Sequence, residues 1–374
     1  MQIVLDRIEH EFDYELVAAC CSIVVFARRG ATTNELRSAL REQGHDMWQV
    51  TSLLSQMRRV AFAEVAGVLH VAHESIHEAL RHRYASHREA AQQALLNELL
   101  RCTERVQNAQ SNSDDTNTES SNSSNVAFPL RALVEVPWLY VQLRRHEKVQ
   151  QILLDRHWFS ALYGAAAFRA DVDEIYSFAT EDTGFEDKLL NEICVSDSDD
   201  HKCKLAQFFL EKGQLQRSET LLQNVRAREP AVVVQHALLL RLQRKFEQAH
   251  TMLTQLLGKQ DGSLNSTLQL HVLSELASLS TLLASDPAQA ISLHRQILEM
   301  KQKMYNGDNN VVVAASRVTL ANALLNPPNS KQAASEAENE LTQAIKVLQQ
   351  WRGERSLETA AAQVSLAAVH SLRL

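Results

Sequence analysis

The sequence feature that most restricts the fold is a repeat near the C-terminus. The segment 305–321 recurs 46 residues later as the segment 351–367. In both copies an aromatic residue stands two positions before a glycine, and both copies end on Leu-Ala. Fainter similarities at offsets of 31 and 44 residues extend the pattern back to about residue 200. Self-similarity with a period of roughly 20–50 residues is typical of solenoids built from stacked helical hairpins.

Alanines at matching points of the repeats indicate how such hairpins pack. A small side chain on the first helix of a hairpin lets the second helix approach closely, while Leu and Phe at i, i+3 and i+4 fill the remaining space. One hairpin leaves apolar surface that only its neighbour covers, so stacked hairpins curve and form a groove lined by first helices. The alternative is an irregular helical bundle with accidental alanine spacing. The alanines are Ala206, Ala237, Ala277, Ala321 and Ala367.

The composition favours helices and argues against several classes of protein. The 374 residues include only 10 glycines and 6 prolines, whereas strand-rich folds need many turns. A net charge of −7 lacks the electrostatic signature of a nucleic-acid binder. Five scattered cysteines indicate free thiols in a reducing compartment. The acidic N-terminus is not a secretory signal, and the apolar run Leu16–Phe26 is shorter than the roughly 20 residues that span a bilayer. We therefore predict a soluble cytoplasmic protein without a membrane partner.

The first 105 residues have the element order of a winged-helix domain. Thr32 followed by Glu35 is a helix N-terminus signature, and Asp46 can cap a third helix over Met47–Arg59. The valine-containing stretch Val60–Ala72, interrupted by Gly67, predicts a β-hairpin. Three helices followed by a hairpin predict a winged-helix-like N-terminal domain.

Three local predictions complete this domain. Gly30 is expected to end a helix over Glu11–Arg28 as its C-cap. Trp48 is expected in the buried stripe of the third helix, together with Val50, Leu53, Leu54 and Met57. One long helix is expected from His73 to about Val106.

The rest of the chain divides into three parts. Residues 106–126 are almost entirely polar and predict a disordered linker, because such a tract cannot bury enough surface to offset its ordering entropy. Residues 127–200 predict a helical spacer in which Pro129 and Pro137 start helices and the acidic stretch 182–200 includes a loop. Residues 201–374 hold the repeats. The fold class is therefore mostly α, with a winged-helix-like domain, a spacer and an α-solenoid.

The repeat region resembles the tetratricopeptide family. Its longer units, with a spacer such as Lys303–Asn309, are similar to the extended form found in kinesin light chains and nephrocystin-type proteins. The resemblance implies a tetratricopeptide-like (TPR-like) solenoid that binds a protein or peptide partner in the groove. Polar side chains of first helices would contact that partner, and we predict Arg317, Asn322 and Gln363 for this role.

The first half resembles the winged-helix region that follows the NTPase core of NACHT/STAND proteins of the nephrocystin and telomerase-associated types. The residues that carry the resemblance are RRG at 28–30 with Glu35-Leu36, VAHESIHEA at 71–79 and LVEVPWLYVQL at 133–143. The resemblance implies that His73 faces the phosphates of a bound nucleotide and helps to hold a closed, ADP-bound state. The sequence contains no Gly-x-x-x-x-Gly-Lys-Ser/Thr, so it would be the half of such a protein that lacks the P-loop domain.

The same stretch also satisfies a metalloprotease pattern. His73-Glu74 and His77 form H-E-x-x-H, in which two histidines one helical turn apart bind zinc and the glutamate acts as a general base. A third ligand would be required, and the candidates are His87, Glu89 and Glu98. We find no extended segment placed to bind a peptide substrate. We therefore predict no catalytic residue, no metal and no cofactor.

Three functions follow, in order of preference. The first is a non-catalytic scaffold that binds a partner through its repeats. The second is the regulatory, nucleotide-sensing and autoinhibitory half of a larger STAND NTPase, for which the nephrocystin resemblance also implies an association with cilia. The third is nucleic-acid binding through the helix Met47–Arg59, but its only cations are Arg58 and Arg59, so a nucleic-acid partner is not expected.

Overall fold

A computed structural model describes residues 2–111, 129–164, 168–196, 198–226, 229–258, 265–283, 287–325 and 331–371. Within this part of the chain there are twenty α-helices and three short strands, which confirms the mostly helical fold. The chain divides into two compact units, Met1–Lys204 (unit 1) and Leu205–Leu374 (unit 2). None of the helices in the described ranges is long and apolar enough to cross a membrane.

Unit 1 begins with helices around a small sheet. Antiparallel pairing gives the strand order β1-β3-β2, with Ala31 opposite Leu69 and Phe62 opposite Val71. The β2–β3 hairpin confirms the hairpin predicted over Val60–Ala72. In chain order the elements are α1 (Gln2–Phe12), α2 (Tyr14–Val25), β1 (Ala31–Thr32), α3 (Thr33–Glu42), α4 (Met47–Val60), β2 (Phe62–Val65) and β3 (Val68–Val71).

Local capping positions α3 and α4 as predicted. The Thr32 hydroxyl accepts from the Glu35 backbone N–H (3.1 Å), and the Glu35 carboxylate accepts from the Thr32 N–H (2.8 Å). This reciprocal capping box satisfies two N–H groups that have no partner inside the helix. Asp46 accepts from the N–H groups of Trp48 and Gln49, so α4 begins where the sequence predicts.

Gly30 and the helix before it differ from the prediction. The segment expected as one helix is split between α1 and α2 at Asp13, which has a φ of 73°. α2 ends at Val25, so Gly30 is not its C-cap. Gly30 instead has a φ of 71°, and a Cβ there would lie 2.1 Å from the Leu69 carbonyl oxygen. Gly30 is required because β1 passes directly against β3.

Two further predictions in this region are wrong. Trp48 is 78% exposed, because it lies about 180° around the helix from Met57 and the buried stripe. The long helix expected from His73 is interrupted at Tyr84, which is fully buried and donates its hydroxyl to Glu9 of α1 (2.5 Å). The segment consists of α5 (Glu74–Arg83), a short 3-10 turn (Ala85–His87) and α6 (Arg88–Ser111).

The remainder of unit 1 is helical. Pro129 precedes α7 as predicted, whereas Pro137 lies buried inside α7 and starts no helix. The acidic stretch 182–200 includes the expected loop, at the turn 182–184, followed by a helix. The predicted linker overlaps the end of α6, and its residues 112–126 lie outside the described part. The helices are α7 (Leu130–Gln142), α8 (His146–Leu154), α9 (Arg156–Gly164), α10 (Arg169–Ala179), α11 (Phe185–Val195) and α12 (Asp199–Glu211), whose second half belongs to unit 2.

Unit 2 is an array of helical hairpins. Consecutive helices pack side by side from α13 to α20, and the first helices of neighbouring hairpins also meet, α14 with α16 and α18 with α20. The helices are α13 (Leu215–Gln223), α14 (Pro230–Leu242), α15 (Phe246–Gly258), α16 (Ser266–Leu283), α17 (Pro287–Met304), α18 (Val311–Leu324), α19 (Lys331–Arg352) and α20 (Leu357–Ser371).

The matched alanines behave as predicted except at the last position. Ala206, Ala237, Ala277 and Ala321 are all buried. Ala367 is exposed, because no helix in the described part of the chain packs against its side of α20. The segment Asn326-Pro327-Pro328-Asn329, which the sequence suggests as an insertion in the loop of one hairpin, lies outside the described residues.

Candidate functional site

The first helices α16 and α18 of unit 2 each carry an exposed face. On α18 the exposed residues Val312, Ala315, Thr319 and Asn322 follow the i, i+3, i+7 spacing of one helix face. On α16, His271 and Ser278 are exposed at the same spacing. We call these six residues the first-helix surface. It is uncharged apart from the titratable His271 and is formed mostly by small or polar side chains.

Asn322 therefore lies on a surface that a partner can reach, but Arg317 does not. Arg317 is 6% exposed and donates to Asp308 (2.7 Å) and to Glu340 of α19. Burial lowers the pKa of Arg317, but the hydrogen bonds with Asp308 and Glu340 outweigh burial and raise it. Both carboxylates come from the same unit, so this placement speaks against Arg317 as a direct partner contact.

Gln363 occupies a third kind of position. It is exposed on α20, 46 residues after Arg317, and thus stands at the equivalent point of the repeat. It lies next to Val364 on one side of α20. That side does not correspond to the face of α18 on which Asn322 lies. The three predicted partner contacts are therefore not brought together.

A buried carboxylate in unit 1 was missed by sequence reasoning. Glu135 of α7 is 1% exposed and accepts hydrogen bonds from the backbone N–H groups of Arg28 (3.2 Å) and Arg29 (2.8 Å). Burial raises the pKa of Glu135, while Arg131 and the two N–H groups act against that rise. A lone glutamate inside the apolar stretch 133–143 was the available signal.

Further polar contacts surround Glu135. Arg131 donates to Glu35 (2.8 Å) and to the carbonyl oxygens of Arg29 and Gly30 (3.3 and 2.9 Å). Arg28 pairs with Asp171 of α10 at 2.8 Å. The Arg-Arg-Gly stretch that carries the family resemblance is thus a structural joint between the sheet region and the helices α7 and α10.

His73 lies at the point where β3 leads into α5. It is the exposed N-cap of α5, and its Nδ1 accepts from the Ser75 backbone N–H (3.3 Å). The ring is exposed, and its Nδ1 also lies 2.9 Å from the Ser75 hydroxyl oxygen. The nucleotide-sensing role of His73 stays a prediction.

The metalloprotease pattern does not assemble into a metal site within the described ranges. His77 lies 3.3 Å from the Val25 carbonyl oxygen, His87 lies 3.4 Å from Glu15, and Glu98 accepts from Ser38 at 2.7 Å. No three His, Cys, Asp or Glu side chains among the described residues are grouped so that they could hold an ion. His73 lies before α5 as its N-cap, so the two histidines of the H-E-x-x-H pattern do not both stand within one helix.

Unit 1 also contains a polar cleft of about 800 Å³ between the start of α6, the connection from α7 to α8 and the end of α10. Arg88, Arg144 and His146 line it together with Glu89 and Glu181, so opposite charges are nearly balanced. Arg88 donates to Gln142 (2.6 Å), and the His146 ring stacks on Phe178 with centroids 4.0 Å apart. Because the lining carries side chains of both charges, the cleft does not favour a ligand of either charge.

The helix considered for nucleic-acid binding offers little free positive charge. Arg58 pairs with Glu64 at 2.7 Å and also donates to Thr33. Arg59 is exposed beside it. Neutralisation of Arg58 reduces the phosphate attraction that nucleic-acid binding depends on.

Comparisons with known proteins identify no family. No protein-family model matches the sequence, and no curated protein matches it. Among solved structures, nearly identical tetratricopeptide-like repeats of a kinesin light chain from Podospora anserina are 21% identical, with a TM-score of 0.39, over 46% of this chain and 84% of that chain.

Two further structures match over most of this chain. A STAND signal-transduction ATPase with a tetratricopeptide repeat sensor from Pyrococcus horikoshii is 13% identical, with a TM-score of 0.44, over 99% of this chain and 56% of that chain. The APC/C hetero-tetramer Cut9–Hcn1 is 12% identical, with a TM-score of 0.38, over 87% of this chain and 52% of that chain. This chain therefore spans about half the length of both. Likenesses this weak assign neither a family nor a function.

Proposed function

We propose that the chain is a cytoplasmic, non-catalytic scaffold that binds a segment of a partner protein on the first-helix surface of unit 2. The observation that carries the proposal is the exposure of this surface on helices whose other sides are buried in the array. Ala315 and Thr319 leave room for a main chain to approach, and Asn322 offers both a donor and an acceptor. Such a surface suits an extended or helical peptide held by a rigid support.

The test is affinity capture with the full chain as bait, followed by quantitative mass spectrometry. The variant Thr319→Arg with Asn322→Arg places two large cations on the first-helix surface. The matched control is Asn339→Arg with Thr342→Arg, which makes the same changes at the same spacing on exposed positions of α19. We expect proteins recovered by the wild type and the control to be lost from the first variant. Equal recovery by all three baits contradicts the proposal.

A second candidate function has its own support. We propose that residues 1–105 form a winged-helix-like domain and that the chain is the regulatory half of a larger nephrocystin-like STAND NTPase. The order of helices and strands, together with the strand order β1-β3-β2, supports the winged-helix assignment. The exposure of His73 between β3 and α5 is compatible with a nucleotide-sensing role.

The size of the endogenous protein tests this second candidate. An immunoblot with an antibody against residues 205–374 should show a band well above the 42.1 kDa of this chain. In that longer product His73→Ala should weaken the retention of ADP, while His82→Ala, on the exposed side of α5, should not. A single band at 42.1 kDa excludes the candidate.

A further inference from the structure

The polar cleft of unit 1 contains free charges of both signs. Glu89 stands in the first turn of α6, Arg144 in the connection from α7 to α8 and Glu181 just after α10, and all three are exposed and line the cleft. In the part of the chain that the structure describes, none of these three side chains forms an ion pair or a hydrogen bond. A cleft that holds unpaired charges of both signs is complementary to a ligand that also carries both.

Arg144 occupies a position that suits glycine better. Its φ is 53°, and it follows α7 in a turn closed by two hydrogen bonds, from its own N–H to the Val141 carbonyl oxygen (3.0 Å) and from the next N–H to that of Tyr140 (2.9 Å). The turn after α12 has the same two bonds, with Gly213 at the equivalent point and a φ of 72°. Glycine adopts this conformation without steric cost, whereas a side chain costs free energy. The turn does not require arginine, so its presence points to a role of the side chain.

The walls of the cleft are fixed by contacts that leave those three charges free. The Arg88 guanidinium donates to Gln142 at 2.6 Å and lies over the Phe26 ring, 5.8 Å from its centroid. The His146 ring stacks on Phe178. These contacts join α6 to α7 and α8 to α10. A site whose walls are already ordered loses less entropy when it binds a ligand.

Two glutamines of the lining each keep half of a side-chain amide available. Gln92 donates its Nε2 to the Phe26 carbonyl oxygen (3.4 Å), so its Oε1 remains as an acceptor. Gln142 accepts from Arg88 through its Oε1, so its Nε2 remains as a donor. Neither remaining group has a partner among the described residues. One acceptor and one donor are what the main-chain amide of a ligand requires.

We propose that this cleft binds a short peptide segment of a partner protein that carries one carboxylate and one ammonium or guanidinium group. The carboxylate of the segment binds Arg144, and its cation binds Glu89 or Glu181. Its main chain pairs with Gln92 and Gln142. The cleft volume of about 800 Å³ lies within the range of about 300–1,000 Å³ that is typical of ligand sites. A free zwitterionic small molecule has the same two charges but no main chain, so the glutamines favour the peptide. The cleft belongs to unit 1 and is a separate site from the first-helix surface of unit 2.

Fluorescence anisotropy of the full chain with an array of labelled hexapeptides tests the proposal. Each peptide is capped at both ends and carries one Lys or Arg and one Asp or Glu, at every separation. We expect members of the array to bind, and the same peptides with either charge replaced by a neutral side chain to bind at least about tenfold more weakly. Added salt should also weaken binding. Failure of every hexapeptide to bind overturns the proposal, and free amino acids that bind in their place overturn the peptide as the occupant.

Two glycine variants test whether the cleft is where the peptide binds. Arg144→Gly removes the cation from a turn that suits glycine, so the chain should stay folded and bind the peptide at least about tenfold more weakly. The matched control is Arg244→Gly, because Arg244 has a φ of 62° in the same kind of turn after α14 and does not line the cleft. It should bind like the wild type, and thermal melting should show both variants to be at least as stable as the wild type. Thr319→Arg with Asn322→Arg should also bind the peptide normally, so failure of the first-helix surface is distinguishable. Equal affinity of Arg144→Gly and the wild type overturns the proposal.

Discussion

At Gly30 the backbone passes so close to Leu69 that only a residue without a side chain fits. Gly30→Ala adds a Cβ that would meet the Leu69 carbonyl oxygen at 2.1 Å, at a φ of 71° that L-residues rarely adopt. We expect a loss of about 2–4 kcal/mol in the free energy of unfolding, measured by urea denaturation. Gly44→Ala is the control, because Gly44 has a φ of 86° but open space around it. It should cost about 1 kcal/mol from backbone strain alone. Equal losses for the two variants would show that the contact with β3 is unimportant.

His201 makes unit 1 sensitive to acid. The ring is buried 5.3 Å from Phe159, and burial lowers its pKa to about 4 from an ordinary value near 6.5. Above pH 6.5 the ring is neutral in both the folded and the unfolded chain. Below that pH the unfolded chain binds the proton first, so the free energy of unfolding falls until about pH 4. The full effect of this group is about 3 kcal/mol.

The variant His201→Gln isolates this contribution. Its free energy of unfolding should lie below that of the wild type at neutral pH, and the gap should narrow or reverse as the pH falls from about 6.5 towards 4. Urea denaturation at several pH values measures the gap, and carboxylates elsewhere cancel in the difference. A gap independent of pH would mean that the pKa of His201 is the same in the folded and the unfolded chain, which contradicts the effect of burial.

Among the elements, α7 depends on its buried glutamate. Glu135→Ala leaves the N–H groups of Arg28 and Arg29 without their acceptor and removes a carboxylate that attracts Arg131, which keeps its ion pair with Glu35. We expect a loss of about 2–4 kcal/mol in the free energy of unfolding, whereas Glu135→Gln keeps one acceptor and should lose about half as much. Glu147→Ala, at an exposed position of α8, should change stability by less than about 0.5 kcal/mol. If Glu135→Ala lost no more stability than Glu147→Ala, Glu135 would not be what holds α7 against the backbone of Arg28 and Arg29.

The repeat supplies its own control for the contact between α18 and α19. Arg317→Met removes the cation that Glu340 and Asp308 share, and Glu340 is left largely buried. We expect a loss of about 2–3 kcal/mol in the free energy of unfolding. Most of it comes from the buried Glu340, because the exposed Asp308 is screened by water. Gln363→Met, at the equivalent position of α20, should change stability by less than about 0.5 kcal/mol. Thermal melting measures both variants, and similar losses would show that the ion pair adds nothing to the packing.

At the scale of the whole molecule, the division into two units predicts two unfolding transitions. Because the contacts lie mainly within Met1–Lys204 and within Leu205–Leu374, each unit should melt cooperatively by itself. In differential scanning calorimetry Glu135→Ala should lower one transition and Arg317→Met the other. A single transition that both variants lower equally would show that the chain unfolds as one cooperative unit.

The sequence by itself determined the features that depend on near neighbours or on regular spacing. The capping box of Thr32 and Glu35, the cap at Asp46 and the β2–β3 hairpin involve residues a few positions apart. The buried alanines of the array follow from a repeat that one sequence displays. Local hydrogen bonding and periodic burial are encoded over short distances, so a single sequence is enough to predict them.

Only the tertiary structure decided the features that depend on distant contacts or on a missing neighbour. The role of Glu135 depends on backbone groups more than 100 residues earlier in the chain. Gly30 is required by the position of Leu69, and Arg317 is withdrawn from solvent by Glu340. Ala367 has the same sequence context as Ala321 but is exposed, because burial depends on whether another helix lies alongside and not on the residue itself.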